Sequence, residues 1–196
     1  MKKKPKIDRI RCFAGIKFSL YENLSPLIAD LRTVPAYEDF KLRLAPAENL
    51  HITLKFLGSV EAENLKYIQS VMAEVGNKHH HFKISASGLG FFKNSMWIGI
   101  ERNDYLSAIV SEMSRLFALQ EYVEDPRSFT PHITLLRFDH SAKQQLQALA
   151  ETYKDKHWGE FEVNQIHLYK SETLEEGARS TILNCYDFLA DSADNH

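Results

Sequence analysis

Hydrophobic and polar positions follow two different periods along this chain, and each period predicts one type of secondary structure. Apolar residues three and four positions apart, typical of one buried helix face, recur in four segments. They predict helices over Leu24–Leu31, Glu61–Val75, Tyr105–Leu119 and about Ala142–Tyr153. Between them, apolar stretches of strand-like spacing predict strands over Arg9–Leu20, Lys41–Leu44, Leu50–Leu57, Phe82–Leu89, Ser95–Glu101, Phe129–Phe138, Phe161–Tyr169 and Ser180–Leu189.

The tetrapeptide His-Ile-Thr-Leu occurs twice, at residues 51–54 and 132–135, and therefore 132 − 51 = 81 positions apart. Two copies of one four-residue sequence are too rare to expect by chance in 196 residues. Side chains alternate along a strand, so His51 and Thr53 share one face and His132 and Thr134 do the same. The opposite faces carry apolar side chains, namely Leu50, Ile52, Leu54 and Phe56 in the first strand and Ile133 and Leu135 in the second.

The order of the predicted elements mixes strands and helices without a regular strand-helix-strand alternation. That order favours an α+β fold with largely antiparallel strands. Because the motif recurs after a long helix in both halves, we expect two similar lobes. No linker rich in Gly, Pro or Ser separates them, so residues 1–196 are expected to form a single domain with a basic tail at about residues 1–8.

Two imidazoles and two hydroxyls are suited to hydrolysis of a phosphodiester. One imidazole can accept a proton while the other donates one, because the group titrates near neutrality. Threonine hydroxyls can donate hydrogen bonds to the oxygens of a phosphate. A zinc site is the rival interpretation, but the second position of each pair is Thr, a poor zinc ligand, and neither motif contains Asp, Glu or Cys. We therefore expect no metal and no cofactor.

Composition and charge restrict the binding partners and the cellular location that we expect. The formal net charge of −2 means that a nucleic acid must be held by a local basic patch. No apolar segment approaches the length of a membrane span, so no membrane association is expected. Cys12 and Cys185 are the two cysteines of the chain, too few for a disulfide framework, which fits a reducing cytoplasm.

Both motif segments resemble those of the RNA 2′,3′-cyclic phosphodiesterases, also called 2′-5′ RNA ligase-like proteins, of the two-histidine phosphoesterase superfamily. The first segment, residues 46–58, reads PAENLHITLKFLG, and the second, residues 127–137, reads RSFTPHITLLR. The similarity extends to four further segments, at residues 11–14, 88–92, 97–100 and 171–178. The resemblance implies a bilobal fold with pseudo-twofold symmetry, in which two sheets face a central cleft and the helices lie outside.

The resemblance also implies a role for each site residue. His51 would be the proton donor and His132 the proton acceptor in hydrolysis of RNA 2′,3′-cyclic phosphate ends to 2′-phosphate ends. Thr53 and Thr134 would bind the non-bridging oxygens. Arg137 matches a family position near the phosphate, although strict alternation turns it away from the cleft unless the strand ends or bulges after Leu135. Phe13 is interpreted as a core aromatic rather than a base-stacking one.

Three functions stay open at the level of sequence. The leading one is the cyclic phosphodiesterase, with reversible 2′-5′ ligation and tRNA halves as candidate substrates. The second is hydrolysis of 2′-5′ oligonucleotides or small cyclic nucleotides by the same groups. The third is a non-catalytic module that binds RNA ends, which two intact His and Thr pairs disfavour because simple phosphate binding would use Arg or Lys. We expect a monomer.

Overall fold

The computed structural model describes residues 8–38, 42–120, 122, 129–174 and 177–190, so nearly all of the predicted basic tail lies outside the described residues. The strands of these residues are β1 (Arg9–Lys17), β2 (Leu42–Leu44), β3 (His51–Glu61), β4 (Phe82–Phe91), β5 (Ser95–Ile100), β6 (His132–Phe138), β7 (His157–Val163), β8 (Gln165–Leu174) and β9 (Gly177–Asp187). The helices are α1 (Ser25–Thr33), α2 (Pro35–Glu38), α3 (Leu65–Gly76), α4 (Asp104–Ala118) and α5 (Lys143–Thr152).

The strands form one curved antiparallel sheet in the order β7-β4-β5-β6-β3-β1-β8-β9, with β2 also paired to β6. The two motif strands, β3 and β6, lie side by side at its centre. Apart from β2, each half contributes four strands counted outward from this centre, β6-β5-β4-β7 on one side and β3-β1-β8-β9 on the other. The two halves are therefore related by a pseudo-twofold arrangement. The α+β class and the antiparallel strands are confirmed. The two sheets predicted from the sequence are halves of one continuous sheet, because Ile52 of β3 pairs with Ile133 of β6.

The four helices that the sequence predicts, α1, α3, α4 and α5, each bury an apolar stripe, whereas the short helix α2 was not predicted. In α3 the buried stripe contains Ile68, Val71, Met72 and Val75, and in α4 it contains Leu106, Ile109, Met113, Leu116 and Phe117. These two helices pack on each other and on strands β3, β8 and β9 of the first half. Helix α5 packs on β4 of the second half, and the hydroxyl of Tyr153 just beyond α5 donates to Asp30 of α1. None of the described helices is long and apolar enough to span a membrane.

Several predicted strand boundaries are wrong. The predicted strand Phe161–Tyr169 is two strands, β7 and β8, separated at Asn164, and β7 was not recognised as a separate element. Gly58 does not stop β3, which continues to Glu61, because this glycine adopts a φ of 70° and is accommodated within the strand as a bulge. Helix α3 accordingly begins at Leu65 rather than Glu61. The second motif strand begins at His132, three residues later than predicted.

The pair of Ile52 and Ile133 predicts a large stability cost for one substitution at the centre of the sheet. Both side chains are fully buried. We expect I133A to lower the free energy of unfolding by about 2–5 kcal/mol, through lost burial and the cavity left behind. Urea denaturation measures this loss. The matched control is I182A, at a side chain 38% exposed on β9, where a cost comparable with that of I133A would contradict the central role of the pair.

Candidate active site

The four polar side chains of the repeated motif lie together on one face of the sheet centre. Ile52 and Ile133 turn their side chains into the core, so the residues on either side of each turn to the opposite face, which we call the cleft face. Because β3 and β6 are antiparallel about this pair, His51 lies beside Thr134 and Thr53 lies beside His132. The two imidazoles thus occupy diagonal positions, for which the ideal sheet geometry gives about 7–8 Å between Cα atoms. All four side chains are half-buried.

Both histidines are held in the same tautomer by the backbone. Nδ1 of His51 lies 2.6 Å from the carbonyl oxygen of Asn49, and Nδ1 of His132 lies 2.7 Å from that of Thr130. A carbonyl oxygen can only accept a hydrogen bond, so Nδ1 carries the proton in each ring. Nε2 is therefore the nitrogen that can exchange a proton with a substrate, and the orientation of each ring is fixed before the substrate arrives.

Aromatic rings cover His51 from one side. Phe13 of β1 stacks on the imidazole with a centroid distance of 4.6 Å, and Tyr169 of β8 stacks on Phe13 at 4.7 Å. Burial disfavours the imidazolium cation and lowers the pKa of His51 to about 4, with the nearby His132 as a smaller cause in the same direction, while the hydrogen bond to Asn49 opposes the shift. Phe13 itself is only 2% exposed, so it is buried, as expected, but it lies on the cleft-face side of the sheet against His51 rather than among the core side chains behind the sheet.

His132 has a more open aromatic environment. Phe92, which follows β4, meets its ring edge-to-face at a centroid distance of 4.8 Å, and Trp97 of β5 lies 5.9 Å away. Phe92 is 43% exposed and therefore offers a π surface beside the histidine on which a base can stack. Phe92 belongs to the segment 88–92 that shares the family resemblance, but its role becomes visible only in the fold, where it lies next to His132.

A bulge in each motif strand changes which side chains reach the cleft face. On β1, Gly15 pairs with Thr53 and Ala14 with Lys55, so Leu54 is an extra residue in β3. On β5, Trp97 pairs with Thr134 and Met96 with Leu136, so Leu135 is an extra residue in β6. After each extra residue the alternation of side chains reverses. The first seven residues of both strands accordingly share one order of buried and exposed positions.

Phe56 and Arg137 are the side chains that the bulges turn toward the cleft. Arg137 pairs with Ser95, two residues from the partner of Thr134, and is exposed on the same face as the motif threonine. A bulge at Leu135 was the condition under which Arg137 could face the cleft, and the structure contains this bulge. The prediction for Phe56 is wrong, because it lies on the cleft face, 58% exposed and 5.8 Å from the ring of Phe13. Two consecutive apolar residues, Leu135 and Leu136, were the sequence signal for the bulge in β6.

The donor set on the cleft face is suited to phosphate oxygens. In the described part of the chain neither motif threonine has a hydrogen-bonded partner for its hydroxyl, so both are available to a ligand. Within the same residues, no group of three or more His, Cys, Asp and Glu side chains is placed to hold a metal ion. Arg43 of β2, which the sequence analysis did not consider, lies directly opposite Arg137. The face thus combines two proton-transfer groups, two hydroxyls and two guanidinium groups.

Comparison with known proteins finds relatives along most of the chain. The 2′-5′ RNA ligase superfamily matches residues 20–175 of the chain. An RNA 2′,3′-cyclic phosphodiesterase of Methanocaldococcus jannaschii is 34% identical over 177 residues, which cover 86% of this chain and 95% of that protein. A protein of the same name from Aquifex aeolicus is 31% identical over 144 residues, which cover 69% of this chain and 76% of that protein.

Solved structures show the same fold. A crystal structure described as a phosphoesterase superposes with a TM-score of 0.75 at 24% identity, over 92% of this chain and 99% of that one. LigT of Escherichia coli, crystallised with 3′-AMP, superposes with a TM-score of 0.74 at 22% identity over the same shares. The predicted fold class, the two-histidine phosphoesterase fold, is confirmed by these neighbours.

Because His51 is buried, we predict an unusually low pKa for its imidazole. We expect its imidazole to titrate near pH 4 in the free protein and at a higher pH with inorganic phosphate bound, since an adjacent anion stabilises the cation. Two-dimensional NMR of the ring signals, with and without phosphate, measures both values. The control F13A removes the stacked ring and should raise the pKa toward 6.5. A wild-type His51 that titrates near 6.5 would contradict the effect of burial.

Proposed function

This chain belongs to the 2′-5′ RNA ligase superfamily, and on that premise we propose that it is an RNA 2′,3′-cyclic phosphodiesterase that works by metal-independent acid–base catalysis. The observation that carries the proposal is the pair of imidazoles on the cleft face, each with Nδ1 bound to a backbone carbonyl and Nε2 left for the substrate. Two such nitrogens on opposite sides of one phosphorus can serve the attacking and the leaving oxygen of an in-line displacement.

The proposed reaction opens the cyclic phosphate on its 3′ side. Nε2 of His132 accepts a proton from a water molecule as the water oxygen forms a bond to phosphorus. The bond between phosphorus and O3′ breaks, and Nε2 of His51 donates its proton to O3′. The product carries a 2′-phosphate and a free 3′-hydroxyl. Loss of a proton to solvent then restores a neutral His132, and His51 takes up a proton again when the next substrate binds.

The lowered pKa of His51 is compatible with a proton donor that acts only on bound substrate. In the free protein at neutral pH this imidazole is neutral, because its pKa is about 4. An anionic cyclic phosphate between the two rings raises that pKa, so His51 takes up a proton from solvent as the substrate binds. An imidazolium held in an environment that disfavours its charge is also a stronger acid, which assists departure of O3′.

The remaining groups bind the phosphate. Thr53 and Thr134 lie beside the two histidines, so their hydroxyls can donate to the two non-bridging oxygens. Arg137 lies on the same face beyond Thr134, where its guanidinium can neutralise the developing charge. Because both histidines belong to one chain, the proposed active unit is a monomer of one domain, and the two free cysteines agree with a cytoplasmic location.

The same geometry permits ligation. If the 5′-hydroxyl of a second RNA replaces water, His132 accepts its proton and the product is a 2′-5′ phosphodiester. The step is reversible, so cleavage of a 2′-5′ linkage back to the cyclic phosphate uses the same groups with their roles exchanged. RNA fragments ending in a cyclic phosphate and in a 5′-hydroxyl, as tRNA halves do, are therefore candidate substrates for both directions.

An RNA oligonucleotide with a terminal 2′,3′-cyclic phosphate tests the function directly. We expect hydrolysis to a 2′-phosphate in excess EDTA, with H51A or H132A lowering kcat by about 100- to 10,000-fold, because each imidazole transfers a proton in the transition state. T53A and T134A should each cost about 10- to 100-fold through one lost hydrogen bond to a charged oxygen. Identification of the terminal phosphate by mass spectrometry and phosphatase sensitivity checks the product.

The control for the histidine variants is H157A, at an exposed residue of β7 on the edge of the sheet. It should retain wild-type activity. Full activity in either H51A or H132A would sink the two-histidine mechanism, and loss of activity on chelation would point to a metal instead.

The residual pH dependence of the single variants separates donor from acceptor. In H132A the one motif histidine that remains is His51. Hydrolysis by this variant should therefore slow as the pH rises, if His51 must be protonated. In H51A it should quicken with pH if His132 must be neutral. Rates of both variants between pH 4 and 9, each corrected for the activity of the double variant, measure these slopes. Slopes of the opposite sign would exchange the two roles.

A further inference from the structure

Two arginines face each other across neighbouring strands at one end of the cleft face. The strand β2 pairs with β6 so that Arg43 is directly opposite Arg137. Residues directly opposite in an antiparallel pair point to the same face, and both of these side chains are exposed. Their neighbours point the other way, where Leu42 and Phe138 pair as buried side chains. The register of β2 therefore places Arg43 on the same face as the motif residues.

This arrangement is unfavourable in the free protein. Like charges directly opposite each other destabilise a strand pair. Arg9 and Arg102, by contrast, each have a carboxylate partner on the surface. Within the described residues no carboxylate forms an ion pair with Arg43 or Arg137. Two adjacent guanidinium groups that no carboxylate of the described residues neutralises are suited to an anion from outside.

We propose that Arg43 binds the phosphodiester that joins the terminal nucleotide of the substrate to the nucleotide before it, so that this end of the cleft selects an RNA chain over a cyclic mononucleotide. The inference rests on the proposed function. In this proposal Arg137 serves the reacting phosphate, and Arg43, on the adjacent strand β2, serves the next phosphate. Guanidinium groups are well matched to this task because their fork of N–H donors fits two phosphate oxygens.

The spacing along the strands places both arginines at one end of the cleft face, within reach of a substrate bound at the motif residues. From Thr134 to Arg137 the chain advances three residues, at most about 10 Å at 3.3 Å per residue, and the bulge at Leu135 shortens this distance. Arg43 lies about 5 Å to the side of Arg137, the separation of paired strands. Because β5 pairs with the other side of β6, β2 lies on the same side of β6 as β3. The two guanidinium groups thus lie side by side at one end of the cleft face, where an RNA chain that continues from the terminal nucleotide in this direction meets both.

The experiment compares two substrates that end in the same base, a short RNA with a 2′,3′-cyclic phosphate and the corresponding 2′,3′-cyclic mononucleotide. The readout is the ratio of their kcat/KM values. We expect R43Q to lower this ratio about tenfold, and R43K to restore part of it because lysine keeps the charge but loses the fork. The matched control is R32Q, which removes an exposed arginine on α1, and it should keep the wild-type ratio.

Two further measurements distinguish binding from a structural role. The slope of log kcat/KM against log salt concentration for the RNA should become shallower by about 0.7 in R43Q, the value for one lost contact with a single strand. The Tm of free R43Q should equal or exceed that of the wild type, since a repulsion is removed. A ratio and a salt slope that stay at wild-type values in R43Q, or an equal fall in R32Q, would overturn the proposal.

These outcomes are separate from the test of the proposed function. If the wild type opens the cyclic phosphate of both substrates and R43Q keeps the wild-type ratio, Arg43 has no part in selection while the phosphodiesterase proposal stands. If the wild type opens neither cyclic phosphate, the proposed function itself fails, and the inference about Arg43 fails with it.

Discussion

The pairing of Ile52 with Ile133 is the constraint on which the site depends. It is the one registered pair between β3 and β6 among the described residues, and it joins the two halves of the sheet. Both side chains are buried, so any other register would raise the free energy of the fold by exposing them to water. A slip by one residue would bury the histidines and expose the isoleucines, because side chains alternate with a period of two. Burial of two isoleucines thus sets how the two imidazoles face each other.

The matching bulges are the second constraint, and they act in the same way in both halves. An extra leucine follows each threonine, and each reverses the alternation at the same distance from the histidine. Each bulge therefore turns one further side chain toward the cleft, Phe56 in one half and Arg137 in the other. Since these two residues differ completely in chemistry, the fold is symmetric while its substrate face is not. An aromatic ring suits a base, and a guanidinium suits a phosphate.

Much of the fold and site could be predicted from the sequence. The helices were located by their apolar stripes, and the face shared by His51 and Thr53 followed from alternation alone. The errors have a common physical origin, because they depend on partners distant in sequence. The bulge that exposes Phe56 is defined by the register between β3 and β1. Arg43 can be placed beside the site only once its pairing with Arg137 of β6 is known. His51, Phe13 and Tyr169 come from three different strands, so no local sequence pattern could predict that His51 is buried.

The different environments of the two histidines suggest how a symmetric frame supports a directional reaction. Both rings have the same tautomer and the same kind of backbone anchor, so neither feature can separate donor from acceptor. Burial does separate them, because the Phe13 ring covers His51 whereas His132 meets the exposed Phe92. In the absence of an anion, the cation is penalised at the covered ring. A proton at His51 therefore depends on the phosphate that will use it, and this dependence ties the acid to the presence of its substrate.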